Sequence, residues 1–200
     1  MRYFYVIVFL ISAVSGIAQI PFDRQSVLDF QHDLNADFKN TDKSPLPKND
    51  LAGFSGLDFF AADSTFFVNA KFIRTPDAKP FEMQTTTNRL PVYVVYGTLH
   101  FELHGTPCKL NVYQNVAFAD KPGFEDSLFL PFSDLTNGNE TYIGGRYIDV
   151  KIPNGNTMAI DFNKAYNPYC AYNPRYSCPK IPLENDLQVE VKAGVKKYHD

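Results

Sequence analysis

From Leu90 to Gln114 the chain reads LPVYVVYGTLHFELHGTPCKLNVYQ. Tyr93, Val95, Leu99, Phe101 and Leu103 alternate with Thr98, His100, Glu102 and His104. Successive side chains of a strand point to opposite faces, so a period of two predicts a half-buried strand with this apolar set on one face. The GTPC stretch that begins at Gly105 turns the chain, and KLNVYQ returns it as a second strand. His100, Glu102 and His104 raise the question of a metal. Residues i and i+4 of a strand lie about 13 Å apart. Two histidines at that distance cannot share a zinc ion with bonds of about 2 Å. The polar set reads as a solvent face.

The same period extends in both directions. In STFFVNAKFIR, Phe66, Val68, Ala70 and Phe72 share a face, and FEMQTT follows after a PDAKP turn. Downstream come SLFLPF, RYIDVKI, MAIDFN and LQVEVKA. Eight or nine short strands separated by Gly, Pro and Asn turns predict a mainly β fold, an antiparallel barrel or sandwich. One stretch has a different period. In SVLDFQHDLNADFKN, Val27, Phe30, Gln31, Leu34 and Phe38 recur every three or four residues, which predicts an amphipathic N-terminal helix capped by Ser26.

The first residues, MRYFYVIVFLISAVSGIAQ, combine one arginine, a twelve-residue apolar run and small residues at Gly16 and Ala18. A membrane-spanning helix needs about 20 apolar residues. The segment reads as a signal peptide over residues 1–18, cut before Gln19. The expected mature chain is a single β-rich domain, residues 19–200. It is exported to the periplasm or the cell exterior, with no membrane span after cleavage. The net charge is −3, with 19 basic and 22 acidic residues, so no basic surplus is present to neutralise the phosphates of a nucleic acid. The 18 Phe and 12 Tyr, without any Trp, fit a β core better than an exposed stacking surface.

RYIDVKIPNGNTMAIDFN reads as a hairpin. A three-residue loop, Asn154 to Asn156, pairs Ile152 with Met158, Val150 with Ile160 and Ile148 with Phe162, which keeps each face uniform. That register sets Asp149 opposite Asp161 and Tyr147 opposite Asn163. Two facing carboxylates are tolerated as a solvated pair on an exposed face, with a compensating cation, or with a shared proton, and a shared proton is the requirement for acid–base work.

DFNKAYNPYCAYNPRYSCP, residues 161–179, suits neither helix nor strand. Its two Asn-Pro steps force turns, and about twenty residues of ordered excursion is a length associated with function. Tyr166, Tyr169, Tyr172 and Tyr176 either line a pocket or clamp this long C-terminal loop to the sheet. In an exported chain a Cys170–Cys178 disulfide is the leading pairing, worth about 2.5 kcal/mol by chain entropy. Pairings of Cys108 with Cys170 or with Cys178 stay open, as does a reactive thiol. No C-x-x-C pair, nucleophile elbow or phosphate-binding glycine loop is present.

LFLPFSDLTNGNETYIGGRYIDV, followed by DFNKAYNPYCAYNPRYSCPKIPLENDL, resembles the domain of unknown function 1684 family of bacterial and archaeal proteins. FSGLDFFAADSTFFVNAKF and VYGTLHFELHG resemble its N-terminal half. The pattern falls on Pro131, Phe132, Asp134, Thr141, Tyr142, Gly144 to Tyr147, Asp161 to Cys170, Cys178, Pro179, Glu184 and Asn185. Tyr169 stands where a second proline is usual and Ile143 where a glycine is common, and Cys108 is not part of the pattern. The resemblance implies a mostly β domain with a shared site and carries over no established activity.

Three functional readings follow. The first is a module that binds a small molecule through Asp134, Glu140, Tyr142, Arg146, Tyr147, Asn163, Tyr166 and Asn167, with Arg146 holding a carboxylate. The second is a hydrolase that uses Asp149 and Asp161 as acid and base, with a divalent cation as the one cofactor these carboxylates admit. The third is a structural envelope protein without a ligand.

Overall fold

The structure, a computed structural model, describes residues 20–198, so the signal-peptide segment lies outside the described residues. Among the described residues no helix is long and apolar enough to cross a membrane. Seven strands form one antiparallel sheet: β1 (Phe67–Arg74), β2 (Phe81–Glu82), β3 (Val92–Leu103), β4 (Thr106–Asn115), β5 (Ser127–Phe132), β6 (Arg146–Lys151) and β7 (Thr157–Asp161). Their order is β6-β5-β4-β3-β1-β7, with β2 paired to β3. The sheet curls into a half-barrel, so of the two expected architectures the barrel is the nearer. Its inner face buries Ala70, Leu99, Leu110, Val112, Leu130, Phe132, Ile160 and Phe162 almost completely.

β3 and β4 form the expected hairpin, with Leu99 opposite Leu110. The expected single apolar face on β3 is corrected. A bulge between Val95 and Gly97 inserts a residue and reverses the phase. Tyr93 lies with Tyr113 and Met83 in a cluster on the outer face, and Val95 packs against that cluster, whereas Leu99 and Leu103 join the inner core. Gly97 is required there, since a Cβ would meet the Phe72 ring at 2.3 Å and the Ile73 carbonyl oxygen at 2.8 Å.

The expected β6–β7 hairpin does not form. β6 pairs with β5, and β7 pairs with β1, so the two are opposite edges of the sheet. The free edge of β6 is taken instead by the chain that follows β7. Tyr147 and Tyr166 exchange backbone hydrogen bonds of 2.9 and 3.0 Å. Asp149 therefore lies beside Phe129, and Asp161 beside Phe67. The alternation within each strand is as expected: Ile148, Met158, Ile160 and Phe162 face the core.

The helix α1 spans Arg24–Lys39, and its cap is Asp23, not Ser26. The Asp23 carboxylate accepts from the N–H groups of Gln25 and Ser26, one turn earlier than the apolar period alone indicated. Two short helices follow, α2 (Lys48–Gly53) and α3 (Val116–Ala119). Phe38 of α1, with Leu46, Leu57, Tyr172 and Val195, forms a second small core. LQVEVKA is extended but is not a strand. Leu187, Val191 and Ala193 alternate into the main core as a strand would, but the backbone pairing is interrupted: Leu187 bonds to Ser133 and Val189 to Leu135, while side chains serve Val191 and Ala193.

Candidate functional site

Arg146 begins β6, and strand alternation sets it on the same face as Ile148, pointing into the end of the half-barrel. Its side chain is sealed from solvent, as is that of Asp134, and the two pair at 2.8 Å. Arg146 also donates to the carbonyls of Val191 and Ala193. Asp134 accepts in addition from the Thr136 N–H, the Thr136 hydroxyl and the Val191 N–H. Burial works against the charge of Arg146, and the neighbouring Asp134 carboxylate works in its favour. Of the two carboxylates expected for Arg146, a ligand's or that of a neighbouring aspartate, the structure shows the second, Asp134. Arg146 and Asp134 fasten the loop after β5 and the segment 187–193 to the end of the sheet.

Three asparagines act in the same way. Asn163 accepts from the Asp63 N–H at 2.9 Å and donates to the Asp63 carbonyl at 2.9 Å, which copies a backbone pair. Asn185 does the same for Asn111 and also donates to Pro131. Asn167 donates to the Lys196 carbonyl. All three are buried. Much of the pattern that carries the family resemblance is thus internal fastening, which satisfies backbone groups that no ladder reaches.

Asp149 lies one face away from Arg146, which separates two residues expected together. Its carboxylate accepts the Tyr166 hydroxyl at 2.9 Å. It opens to solvent on one side, but the rings around it withdraw water, and burial raises its pKa, partly offset by the Tyr166 hydrogen bond. Here a cleft of about 420 Å³ runs between α1 and the 166–179 loop. Tyr147, Tyr166, Tyr169, Tyr176 and Phe30 wall it. Tyr147 and Tyr166 meet edge to face at 5.9 Å, and Tyr169 and Tyr176 do so at 5.2 Å. Burial raises the pKa of Tyr166 well above the usual phenol value, so the hydroxyl stays a donor. Asp149 also borders a larger groove of about 870 Å³ between the edges of β6 and β7, and Asp161 lines the same groove.

The two aspartates are not equivalent in use. Asp161 Oδ1 accepts from the Asn163 N–H and its side-chain amide, capping the short turn at residues 162–164. Burial raises its pKa as well. Among the described residues no three His, Cys, Asp or Glu side chains converge as a metal site, so a divalent cation at this groove would rest on two carboxylates at most.

A prediction follows from Asp149. Its folded pKa lies above the unfolded value of about 4, so the stability it contributes is complete below pH 4 and is lost as pH rises through the raised value. Asp149→Asn is therefore expected to melt at a higher temperature than the parent near pH 7. The difference should close as pH falls below about 4. Melting curves across that range check both the sign and the window.

The remaining expected site residues are dispersed. Glu140 is exposed and pairs with Lys192 at 3.3 Å. Tyr147 is buried, and its hydroxyl donates to the Pro179 carbonyl. Tyr142 is half-buried with its hydroxyl 4.0 Å from Cys170 Sγ, and burial pushes its pKa up to about 12. The expected disulfide is not formed: Cys108, Cys170 and Cys178 are free thiols. Cys170 and Cys178 nevertheless adjoin, with the Cys170 N–H donating to Cys178 Sγ at 3.2 Å. The sequence reading did not include Phe30 and Leu34 as cleft walls. Their four-residue spacing on an amphipathic helix assigned them to a core, and only the docking of α1 on the loop shows the cleft.

The class of protein is thus a curled antiparallel half-barrel, fastened at one end by a buried ion pair and along its flank by asparagines. The chain belongs to the family described as Protein of unknown function (DUF1684), which matches residues 52–196. It is similar to an uncharacterised protein of Haloarcula marismortui solved in solution by NMR. The identity is 29%, the TM-score is 0.67, and the match covers 86% of this chain and 92% of that one. No curated protein matches the chain.

Proposed function

We propose that this domain binds a small organic cation, and that the site is the tyrosine-walled cleft at Asp149. In this reading the chain is exported, as its N-terminal residues led us to expect. The observation that carries the proposal is the placement of one carboxylate, with the Tyr166 hydroxyl on it, against a cleft faced by four tyrosine rings and Phe30. A cation there gains from both features. The carboxylate supplies a counter-charge in poorly hydrated surroundings, and ring faces attract an ammonium by about 0.5–2 kcal/mol each. The volume of about 420 Å³ lies in the range of small-molecule sites. Acid–base hydrolysis has less support. Asp161 is already committed to capping the turn at residues 162–164 through the Asn163 N–H and side-chain amide, which takes it out of an acid–base pair with Asp149.

The test is a titration of the mature chain with choline and with its neutral isostere, followed through tyrosine fluorescence and ring resonances. Choline should bind saturably and at least about tenfold more tightly than the isostere. The preference should vanish in Asp149→Asn and should weaken as pH falls through the raised aspartate value. Equal affinity for the two probes, or choline binding unchanged in Asp149→Asn, would overturn the reading.

A further inference from the structure

We propose that Cys170 and Cys178 form a thiol–disulfide exchange site, in which Cys170 attacks a small-molecule disulfide and Cys178 resolves the product. The two sulfurs are presented differently. Cys178 is buried, with 6% of its surface exposed. Its backbone is fixed on both sides by Thr86: the Cys178 N–H donates to the Thr86 hydroxyl at 3.1 Å, and its carbonyl accepts the Thr86 N–H at 2.9 Å. Cys170 is half-open and lines a cleft of about 350 Å³ with Tyr142, Gly144, Lys180 and Ile181. A disulfide made only for stability has no need of an open sulfur on a cleft. An exchange site needs one accessible attacking sulfur with a second sulfur sheltered behind it. Lys180 at the rim suits a disulfide that carries carboxylates.

The environment separates the two thiols in the same sense. Hydrogen bonding with the neighbouring Cys178 side chain, opposed by burial and aided by the Tyr142 hydroxyl 4.0 Å away, holds the Cys170 pKa down to about 6. The same hydrogen bond pushes Cys178 upward, and burial pushes Cys108 upward. Besides the two thiols, the ionisable groups acting on the pair are Tyr142, Tyr147 and, on Cys178, Arg89. At pH 7 a thiol with a pKa of 6 is about nine-tenths thiolate, against about 3% for an ordinary cysteine. Its weaker basicity costs about tenfold in intrinsic nucleophilicity, which leaves a net gain of about threefold. The larger effect is on departure, since a sulfur of low pKa is a good leaving group.

The chemistry balances without a further reagent. Cys170 thiolate attacks one sulfur of RSSR, which forms a mixed disulfide and releases RS⁻. Cys178 passes its proton to that released thiolate and attacks Cys170 Sγ. The second RS⁻ leaves and takes a proton from solvent as the Cys170–Cys178 bond forms. The small disulfide is reduced to two thiols, and the protein dithiol is oxidised. Cys178 also borders the Asp149 cleft, but Cys170 opens onto a different one, and the choline titration and the glutathione mass shift are independent readouts, so either proposal can fail alone.

The experiment uses the mature chain with Cys108→Ser, reduced, desalted and exposed to oxidised glutathione, with intact mass read over time. The expected course is one transient glutathionyl adduct followed by loss of two hydrogens from the protein. In Cys178→Ser the adduct should persist, and peptide mapping should place it on Cys170. Cys170→Ser should react at least about tenfold more slowly. Cys178 is buried and its replacement can unfold the chain, so the parent protein is also pulse-labelled with iodoacetamide. Cys170 should label first, with a half-point near pH 6. A first adduct on Cys178, a half-point for Cys170 near the ordinary thiol value of about 8.5, or a parent chain that stays a dithiol in excess oxidised glutathione would overturn the proposal.

Discussion

Asp134→Ala is expected to remove at least about 3–5 kcal/mol of stability, the cost of leaving the Arg146 guanidinium buried without its counter-charge. That is a large share of a typical 5–15 kcal/mol. The loss has two parts. One is the uncompensated charge inside the end of the half-barrel, where Arg146 is fully sealed. The other is a pair of backbone donors, the N–H groups of Thr136 and Val191, which lose their acceptor. Each orphaned donor adds about 1–3 kcal/mol. A double variant, Asp134→Leu with Arg146→Met, distinguishes the two. It removes the charge but leaves the donors, so it should recover only part of the stability. Urea unfolding of parent, single and double variants measures this. A single variant within about 1 kcal/mol of the parent would mean that the pair contributes nothing to the fold.

Gly194→Ala is expected to be comparably damaging for a different reason. Gly194 has φ +77, a left-handed conformation that carries a penalty of about 1–2 kcal/mol for an L side chain. A Cβ there would also stand 2.5 Å from the Ala165 carbonyl oxygen and 2.9 Å from that of Phe162. Neither atom can retreat easily. The Ala165 carbonyl accepts the Val195 N–H at 2.9 Å, and the Phe162 carbonyl accepts the Ala165 N–H at 3.0 Å. Overpacking of this kind costs about 1–3 kcal/mol more. The sum of about 2–5 kcal/mol should lower the melting temperature by roughly 10 °C for a domain of this size. Gly155→Ala is the control, since Gly155 has no positive φ and nothing within 4 Å of the added carbon. It should melt within about 2 °C of the parent.

The sequence carried the alternation along the strands well, because apolar burial writes itself into a period of two. Leu99 against Leu110 and the inward set Ile148, Met158, Ile160 and Phe162 follow from it. What alternation cannot carry is which strand lies beside which. β6 and β7 satisfied each other's pattern on paper, yet each found a different neighbour, and Tyr166 took the place of β7 at Tyr147. The bulge after Val95 was hidden because every side chain from Tyr93 to Tyr96 is apolar or aromatic, so no polar residue there marks the change of face. The site was partly legible. Of the four tyrosines in the 161–179 stretch, Tyr166, Tyr169 and Tyr176 wall a cleft in which Asp149 stands, whereas Tyr172 clamps the loop into the small core under α1. Arg146 was misplaced by grouping residues along the chain when strand alternation already put it on the other face from Asp149. The roles of Asn163 and Asn185 were not readable, since an amide that copies a backbone pair leaves no periodic trace.

The fastening at Arg146 also imposes an order of events. Its acceptors at Val191 and Ala193 leave the ribosome after all seven strands, the last of which ends at Asp161. A nascent chain that has emerged only as far as β7 holds an unsatisfied guanidinium at the point where the core must close. Closure of this end of the half-barrel thus waits for residues 187–193, which lie roughly forty positions downstream of the arginine they satisfy.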